Sequence, residues 1–148
     1  MSQSKASRTL AFCALFLIVA LYVVGGVTHE VLRHFVQTAP VWPTVILGWR
    51  DSRWSQWTAM PCFFCWLLLM SLIWLFLLGW AHVISGTFSP LEIAMTLVVG
   101  VSAVVGLVTG MRMRGPTHAA GAALVCILML ALQVLAIKVS FLPGLAHD

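Results

Sequence analysis

Four long apolar stretches, with no charged residue or histidine inside them, constrain most strongly what this chain can fold into. They occupy residues 10–27, 59–80, 93–111 and 119–137. Each is close to the ~20 residues with which an α-helix crosses the ~30 Å hydrocarbon core of a bilayer. Because lipid offers no hydrogen-bonding partner, backbone N–H and C=O groups must pair within the segment, which favours helices. The sequence therefore predicts an all-α fold, a four-helix transmembrane bundle.

The chain has too few charged residues to form a separate soluble domain. Only 8% of the 148 residues are charged, whereas ordinary soluble domains carry about 25%. We therefore predict a single integral membrane domain over residues 1–148, in a bacterial inner (plasma) membrane. The first apolar stretch is longer than the about 7–15 residues of a signal-peptide core, so we interpret it as a retained helix. The net charge of +4 is usual beside anionic headgroups and does not indicate nucleic-acid binding.

Four crossings would divide the polar connections between two sides of the membrane. Side A would hold residues 29–58 and 112–118, and side B would hold the N-terminus, residues 81–92 and the C-terminal tail. Side A would then carry five Lys or Arg residues and side B three. Because these residues favour the cytoplasm, the count points to side A, but so small a difference leaves the orientation open.

The connection between the first two stretches is rich in tryptophan. Four of the seven Trp residues lie between residues 42 and 57, and indole rings prefer the headgroup level of a bilayer. Pro40 and Pro43 interrupt the segment. We predict that residues 39–57 form an interfacial Trp-rich element, either a short amphipathic helix on the surface or a re-entrant loop that dips into the membrane.

Small residues mark a packing face on the third stretch. Ser102, Gly106 and Gly110 recur every four residues and so share one helix face. Gly106 and Gly110 also form a GxxxG step, which permits the close approach of another backbone. The fourth stretch opens with small residues at positions 119–123. We predict that the third helix packs on the fourth, with self-association of the chain as the alternative.

Cys62 and Cys65 form a CxxC motif directly after Pro61, and we place them in the first turn of the second helix. Unpaired N–H groups in that turn would stabilise a thiolate. In this position the motif resembles that of the quinone-linked thiol oxidoreductases of the bacterial inner membrane, four-helix proteins with CxxC at the start of the second helix. The resemblance implies that one cysteine attacks a disulfide and the other resolves the mixed disulfide. It does not extend to that family's second cysteine pair, since residues 112–118 contain no cysteine. The alternative is that both are small buried hydrophobic residues.

The other candidate site residues share side A in this arrangement. Cys and His together suit Zn²⁺ or Cu⁺, although no motif requires a metal or another cofactor. The candidate metal ligands are His29, His34, His118, Cys62 and Cys65. The residues that could bind a lipid headgroup or an anionic ligand are Arg33, Arg50, Arg53, Arg112, Arg114, Trp49 and Trp54.

The absence of charge from the four stretches bears on function. Ion-coupled transporters and proton relays place ionisable residues inside the membrane, and these stretches contain no acidic or basic side chain. The leading hypothesis is a non-catalytic accessory or assembly subunit, with lipid and a larger complex or a homo-oligomer as its partners. Two alternatives stay open: a thiol oxidoreductase or metal-thiolate protein that uses Cys62 and Cys65, and a protein that binds lipid or another hydrophobic ligand.

Overall fold

Six α-helices make up nearly all of the part of the chain that the structure describes, a computed structural model covering residues 2–81, 86–113 and 118–142. The helices are α1 (Gln3–Thr28), α2 (Val31–Thr38), α3 (Trp42–Trp49), α4 (Trp54–Leu77), α5 (Pro90–Arg112) and α6 (Ala119–Ser140). A 3-10 turn, Ala39–Val41, joins α2 to α3. The four helices α1, α4, α5 and α6 are long and apolar enough to cross a membrane. The predicted all-helical fold with four long apolar helices is confirmed.

The segment between α1 and α4 returns along α1. Thr38 lies beside Tyr22, Trp49 beside Phe12, and Asp51 beside Arg8, so the two runs are antiparallel. The 19 residues from Val31 to Trp49 cover about 28 Å at 1.5 Å per residue, close to the ~30 Å hydrocarbon thickness of a bilayer. We call residues 31–49 the broken segment.

The directions of the next two helices, α4 and α5, depend on where the broken segment ends. The hydroxyl of Ser55, in the first turn of α4, lies 3.4 Å from that of Ser7, so α4 starts beside the start of α1 and runs parallel to it. Helix α5 is antiparallel to α4. At its end, the side-chain amide of Gln56 donates to the carbonyl of Met113 at 3.3 Å.

Helix α6 runs parallel to α4 and completes the bundle. Gly121 lies against Trp54, and the thiol of Cys126 lies 3.5 Å from the carbonyl oxygen of Trp57. The chain thus passes from end to end five times. We call the end where α1, α4 and α6 begin the first end, and the end where they finish the second end.

This path differs from the predicted two-sided arrangement. Residues 29–58 do not stay at one end, because the broken segment carries them from the second end to the first. The predicted interfacial element over residues 39–57 is divided among the 3-10 turn, α3 and the start of α4, all packed against long helices. The cause is Pro40 and Pro43. Their missing N–H groups break the helix. The sequence therefore has no uninterrupted apolar run from which this pass could be predicted.

Helix α5 places its small face against α4. A Cβ atom at Gly106 would collide with the ring of buried Phe63, and one at Gly110 would lie 3.1 Å from Met60. Helix α5 packs mainly against α1 and α4, whereas α6 packs against α4 and α2. The prediction that the third stretch packs on the fourth through these residues is therefore wrong. Phe63 and Met60 on α4 fill the space that the two glycines leave.

Gly48 brings α3 against the backbone of α1. A Cβ atom at this position would lie 2.6 Å from the carbonyl oxygen of Ser7 and 2.8 Å from the Cβ of Ala11. A backbone carbonyl inside a helix cannot move without shifting the helix. The close approach therefore requires glycine.

We expect Gly48→Ala to lower the free energy of unfolding by about 1–3 kcal/mol, the usual cost of overpacking, even though alanine forms helices better. Gly100→Ala is the control because a Cβ atom at Gly100 meets open space. It should lower the stability by no more than about 0.5 kcal/mol. Thermal unfolding of the purified protein in mild detergent measures both. Equal effects of the two substitutions would contradict the packing of α3 on α1.

Candidate functional site

Charge is divided unequally between the two ends of the bundle. Among the described residues, the first end has a formal charge of +4 and the second end a formal charge of 0. The charged residues of the first end are Lys5, Arg8, Arg50, Arg53, Arg112 and Asp51. Those of the second end are Glu30, Arg33, Glu92 and Lys138. The two ends therefore present different surfaces to anions.

The predicted headgroup-binding residues are separated by this division. Arg33 lies at the second end, where its guanidinium is 2.6 Å from the carboxylate of Glu30 and stacks 4.2 Å from the ring centroid of Phe141. The first end holds Arg50, Arg53, Arg112, Trp49 and Trp54. Arg114 lies outside the described residues. The first end thus gathers most of the predicted set.

Short polar contacts order the surface of the first end. Arg8 forms an exposed ion pair with Asp51 at 3.3 Å, and the Nε of Arg53 donates to the side-chain carbonyl of Gln3 at 3.0 Å. Directly below the ion pair, the rings of Phe12 and Trp49 meet at 5.3 Å between centroids. Cationic and aromatic side chains from α1 and α3 therefore form one continuous surface.

The two cysteines of the CxxC motif are not in the first turn of their helix. Helix α4 begins at Trp54, so Cys62 lies more than two turns inside it, and the expected help from a helix N-terminus is absent. Cys62 is 1% exposed, and its thiol donates to the carbonyl of Pro40 at 3.6 Å. All four cysteines, each within the described residues, are free thiols. Cys62 therefore contacts the break in the broken segment rather than a surface open to a partner.

The predicted metal ligands do not come together. His29 and His34 lie at the second end, whereas His118 precedes α6 at the first end. The full length of α6, about 33 Å at 1.5 Å per residue, separates these ends. No group of three His, Cys, Asp or Glu residues able to hold a metal occurs among the residues that the structure describes.

A set of polar side chains, all buried except half-buried Tyr22, surrounds the break in the broken segment. Besides the Cys62 contact, the amide of Gln133 on α6 donates to the carbonyl of Gln37 at 3.0 Å. The hydroxyls of Thr38 and Tyr22 are 3.2 Å apart. The members of this set, which we call the polar seam, are Tyr22, Gln37, Thr38, Thr44, Thr58, Cys62, Gln133 and Ser140.

Gln133 and Gln37 hold the broken segment to α6. Gln133 is fully buried, and the side-chain amide of Gln37 donates to the hydroxyl of Ser140 at 2.9 Å. Closer to the first end, the hydroxyl of Thr44 on α3 donates to that of Thr58 on α4 at 3.2 Å. The seam therefore connects the broken segment to three long helices.

The hydrogen bond that Pro61 removes from α4 is replaced by a side chain of α6. Pro61 lies inside α4 and has no N–H to donate to the carbonyl four residues earlier, that of Trp57. The thiol of Cys126 on α6 approaches that oxygen at 3.5 Å. A weak donor from a neighbouring helix thus occupies the position that the proline leaves open.

Sequence reasoning missed the polar seam. The available signal was Gln133, one of few polar side chains inside the four long stretches, together with Gln37 and Thr38 in an otherwise apolar connection. Gln37 lies 96 residues from Gln133 and 103 from Ser140 in sequence, and no local pattern relates these residues.

Comparison with known proteins gives no relative: no family model, curated protein or solved structure matches this chain.

We expect Gln133→Leu to lower the free energy of unfolding by about 1–2 kcal/mol, because it removes the donor that pairs with the Gln37 carbonyl. The volume of the side chain is nearly kept, so packing contributes little. The control is Ser71→Ala, since Ser71 is exposed and bonds only to Leu67 of its own helix. Unfolding in detergent compares the two variants, and a stable Gln133→Leu protein would show that the seam does not hold the broken segment.

Proposed function

We propose that this chain is an integral membrane protein that crosses the bilayer five times, with its first end in the cytoplasm. Four crossings are made by α1, α4, α5 and α6, and the fifth by the broken segment. Among the described residues, five Lys or Arg residues lie at the first end and two at the second. This count supports the orientation, because Lys and Arg concentrate on the cytoplasmic side. A bacterial inner membrane is the proposed location.

A broken crossing fits a bilayer only if its backbone groups are paired. Irregular backbone at membrane depth is tolerated where protein surrounds it. The carbonyls of Gln37 and Pro40 accept from Gln133 and Cys62, those of Val36 and Ala39 accept from backbone N–H groups, and Pro40 and Val41 are buried. This pairing supports a fifth crossing.

Five crossings predict that the N-terminus and the C-terminus lie on opposite sides of the membrane. An alkaline phosphatase fusion, active only outside the cytoplasm, should be active at the C-terminus and inactive at the N-terminus. A fluorescent protein that matures only in the cytoplasm should give the reverse result. Both termini on one side, as four crossings require, would contradict the proposal.

Within the membrane we propose a non-catalytic accessory or assembly role. The observation that carries it is the use of the polar side chains inside the bundle: buried Cys62 and Gln133 and half-buried Tyr22 bond to the broken segment. These side chains stabilise the fold of the chain itself. The role needs a larger assembly as partner, and the exposed apolar faces of α5 and α6 offer area for it within the bilayer.

The accessory role predicts that the chain stays in a large assembly and that it does not need reactive thiols to do so. Expressed with a tag from its own locus and solubilised in mild detergent, the 16.2 kDa chain should migrate in a complex several times its mass. The Cys62→Ser and Cys65→Ser double variant should keep this migration, because serine retains a donor for the Pro40 carbonyl.

The thiol oxidoreductase hypothesis predicts that cellular function, rather than migration, responds to the double variant. There the double variant would lose cellular function with its fold intact, and mixed disulfides would be trapped when either cysteine alone is changed. Gly100→Ala serves as the control for tagging and expression, since it alters no packed surface. A chain that migrates as a monomer and needs both thiols would overturn the accessory role.

A further inference from the structure

We infer that one anionic phospholipid binds at the first end on the outer face of α1 and α3, with its phosphate at Arg8 and Arg50 and its acyl chains below. The inference rests on the proposed membrane insertion and names a ligand for one surface of it. We call this surface the cationic column, formed by Arg8, Phe12 and Phe16 of α1, Ile46 and Trp49 of α3, and Arg50.

The spacing of these residues places them in a line. Arg8, Phe12 and Phe16 are four apart on α1, so they share one helix face. Phe12 and Phe16 are 47% and 60% exposed, which places that face on the outside of the bundle. From Arg8 to Phe16 the line descends about 12 Å along the helix. The order is a cation first and apolar rings beneath.

Helix α3 supplies the other half of the column. Trp49 is 50% exposed and touches Phe12, and Ile46 is 51% exposed one turn deeper. Arg50 follows Trp49 directly at the end of the helix and is exposed. A phospholipid has the same order of groups, since its charged phosphate lies above two apolar chains. The indole N–H of a tryptophan at this level can donate to the ester region.

Charge favours an anionic lipid over a second copy of the chain. A copy inserted in the same orientation would bring its own first end, with a charge of +4, beside this one. Those like charges would repel. A lipid with a net negative headgroup is attracted instead, at about a fivefold gain in affinity for each arginine near the surface.

Asp51 opposes this binding and provides the sharpest test. Its carboxylate pairs with Arg8 at 3.3 Å, and both side chains are partly exposed, so a phosphate must compete with it for the guanidinium. Asp51 has a left-handed backbone, with φ at 52°. Asparagine tolerates that conformation as well as aspartate does. Asp51→Asn therefore removes the competing charge with little strain.

The test is native mass spectrometry of the full chain released from membranes that contain equal amounts of phosphatidylglycerol and phosphatidylcholine. We expect phosphatidylglycerol adducts to predominate in the unchanged protein. The Arg8→Gln and Arg50→Gln double variant should lower the ratio of the two adducts by about fivefold or more. Asp51→Asn should raise it. Lys138→Gln, which removes a cation at the second end, is the matched control and should leave the ratio unchanged.

Three outcomes would overturn the inference: an equal ratio in the unchanged protein, an equal loss in Lys138→Gln, or a dimer that excludes lipid from the column. If the arginine variant fails to fold, Asp51→Asn decides alone, and an unchanged ratio in that variant rejects the site. The result is separate from the five-crossing proposal. The fusion experiment can fail while lipid selectivity still follows Arg8 and Arg50, and the reverse is also possible.

Discussion

The pairing of backbone carbonyls at one proline-broken turn is the constraint on which the rest of this fold depends. Pro40 and Pro43 deprive the broken segment of two N–H donors and prevent it from forming one continuous helix. Buried carbonyls need partners, and the long helices provide them. Cys62 donates to the Pro40 carbonyl and Gln133 to that of Gln37. The carbonyls that lose those donors, of Val36 and Ala39, accept from the N–H groups of Ala39 and Trp42. The side chains of Cys62 and Gln133 hold neighbouring carbonyls of the same turn to α4 and α6.

This constraint also determines the direction of every later helix. Because the broken segment returns to the first end, α4 starts beside Ser7, and α5 and α6 follow in alternating directions. The same cations that a four-crossing path assigns to both sides are thereby gathered at one end. The charge difference between the ends, +4 against 0 among the described residues, is a consequence of one additional pass.

The sequence was sufficient for the four long helices because their signal is local. An uninterrupted apolar run of about 20 residues identifies a spanning helix by itself, and all four appear where the runs are. The broken segment has no such signal, since its apolar residues are divided by two prolines and accompanied by Arg33 and His34. Its path depends on Gly48 meeting Ser7. That contact joins residues 41 apart, and sequence periodicity does not encode it.

The cysteines show how a motif and its environment can point to different chemistry. By spacing, Cys62 and Cys65 form a redox pair, and that interpretation required them to start a helix. Helix α4 instead begins eight residues before Cys62, and its first turns pack against α3 through Thr58 and Thr44.

A thiol is a small donor that costs little to bury in apolar surroundings. It can supply a weak hydrogen bond to a carbonyl at a proline break without the cost of burying a hydroxyl. Cys126 does the same for the carbonyl of Trp57, whose usual helical donor is missing because residue 61 is proline. Each of these two cysteines thus bonds to a backbone carbonyl beside a proline: Cys126 to the one that Pro61 leaves without its usual donor, and Cys62 to that of Pro40 itself.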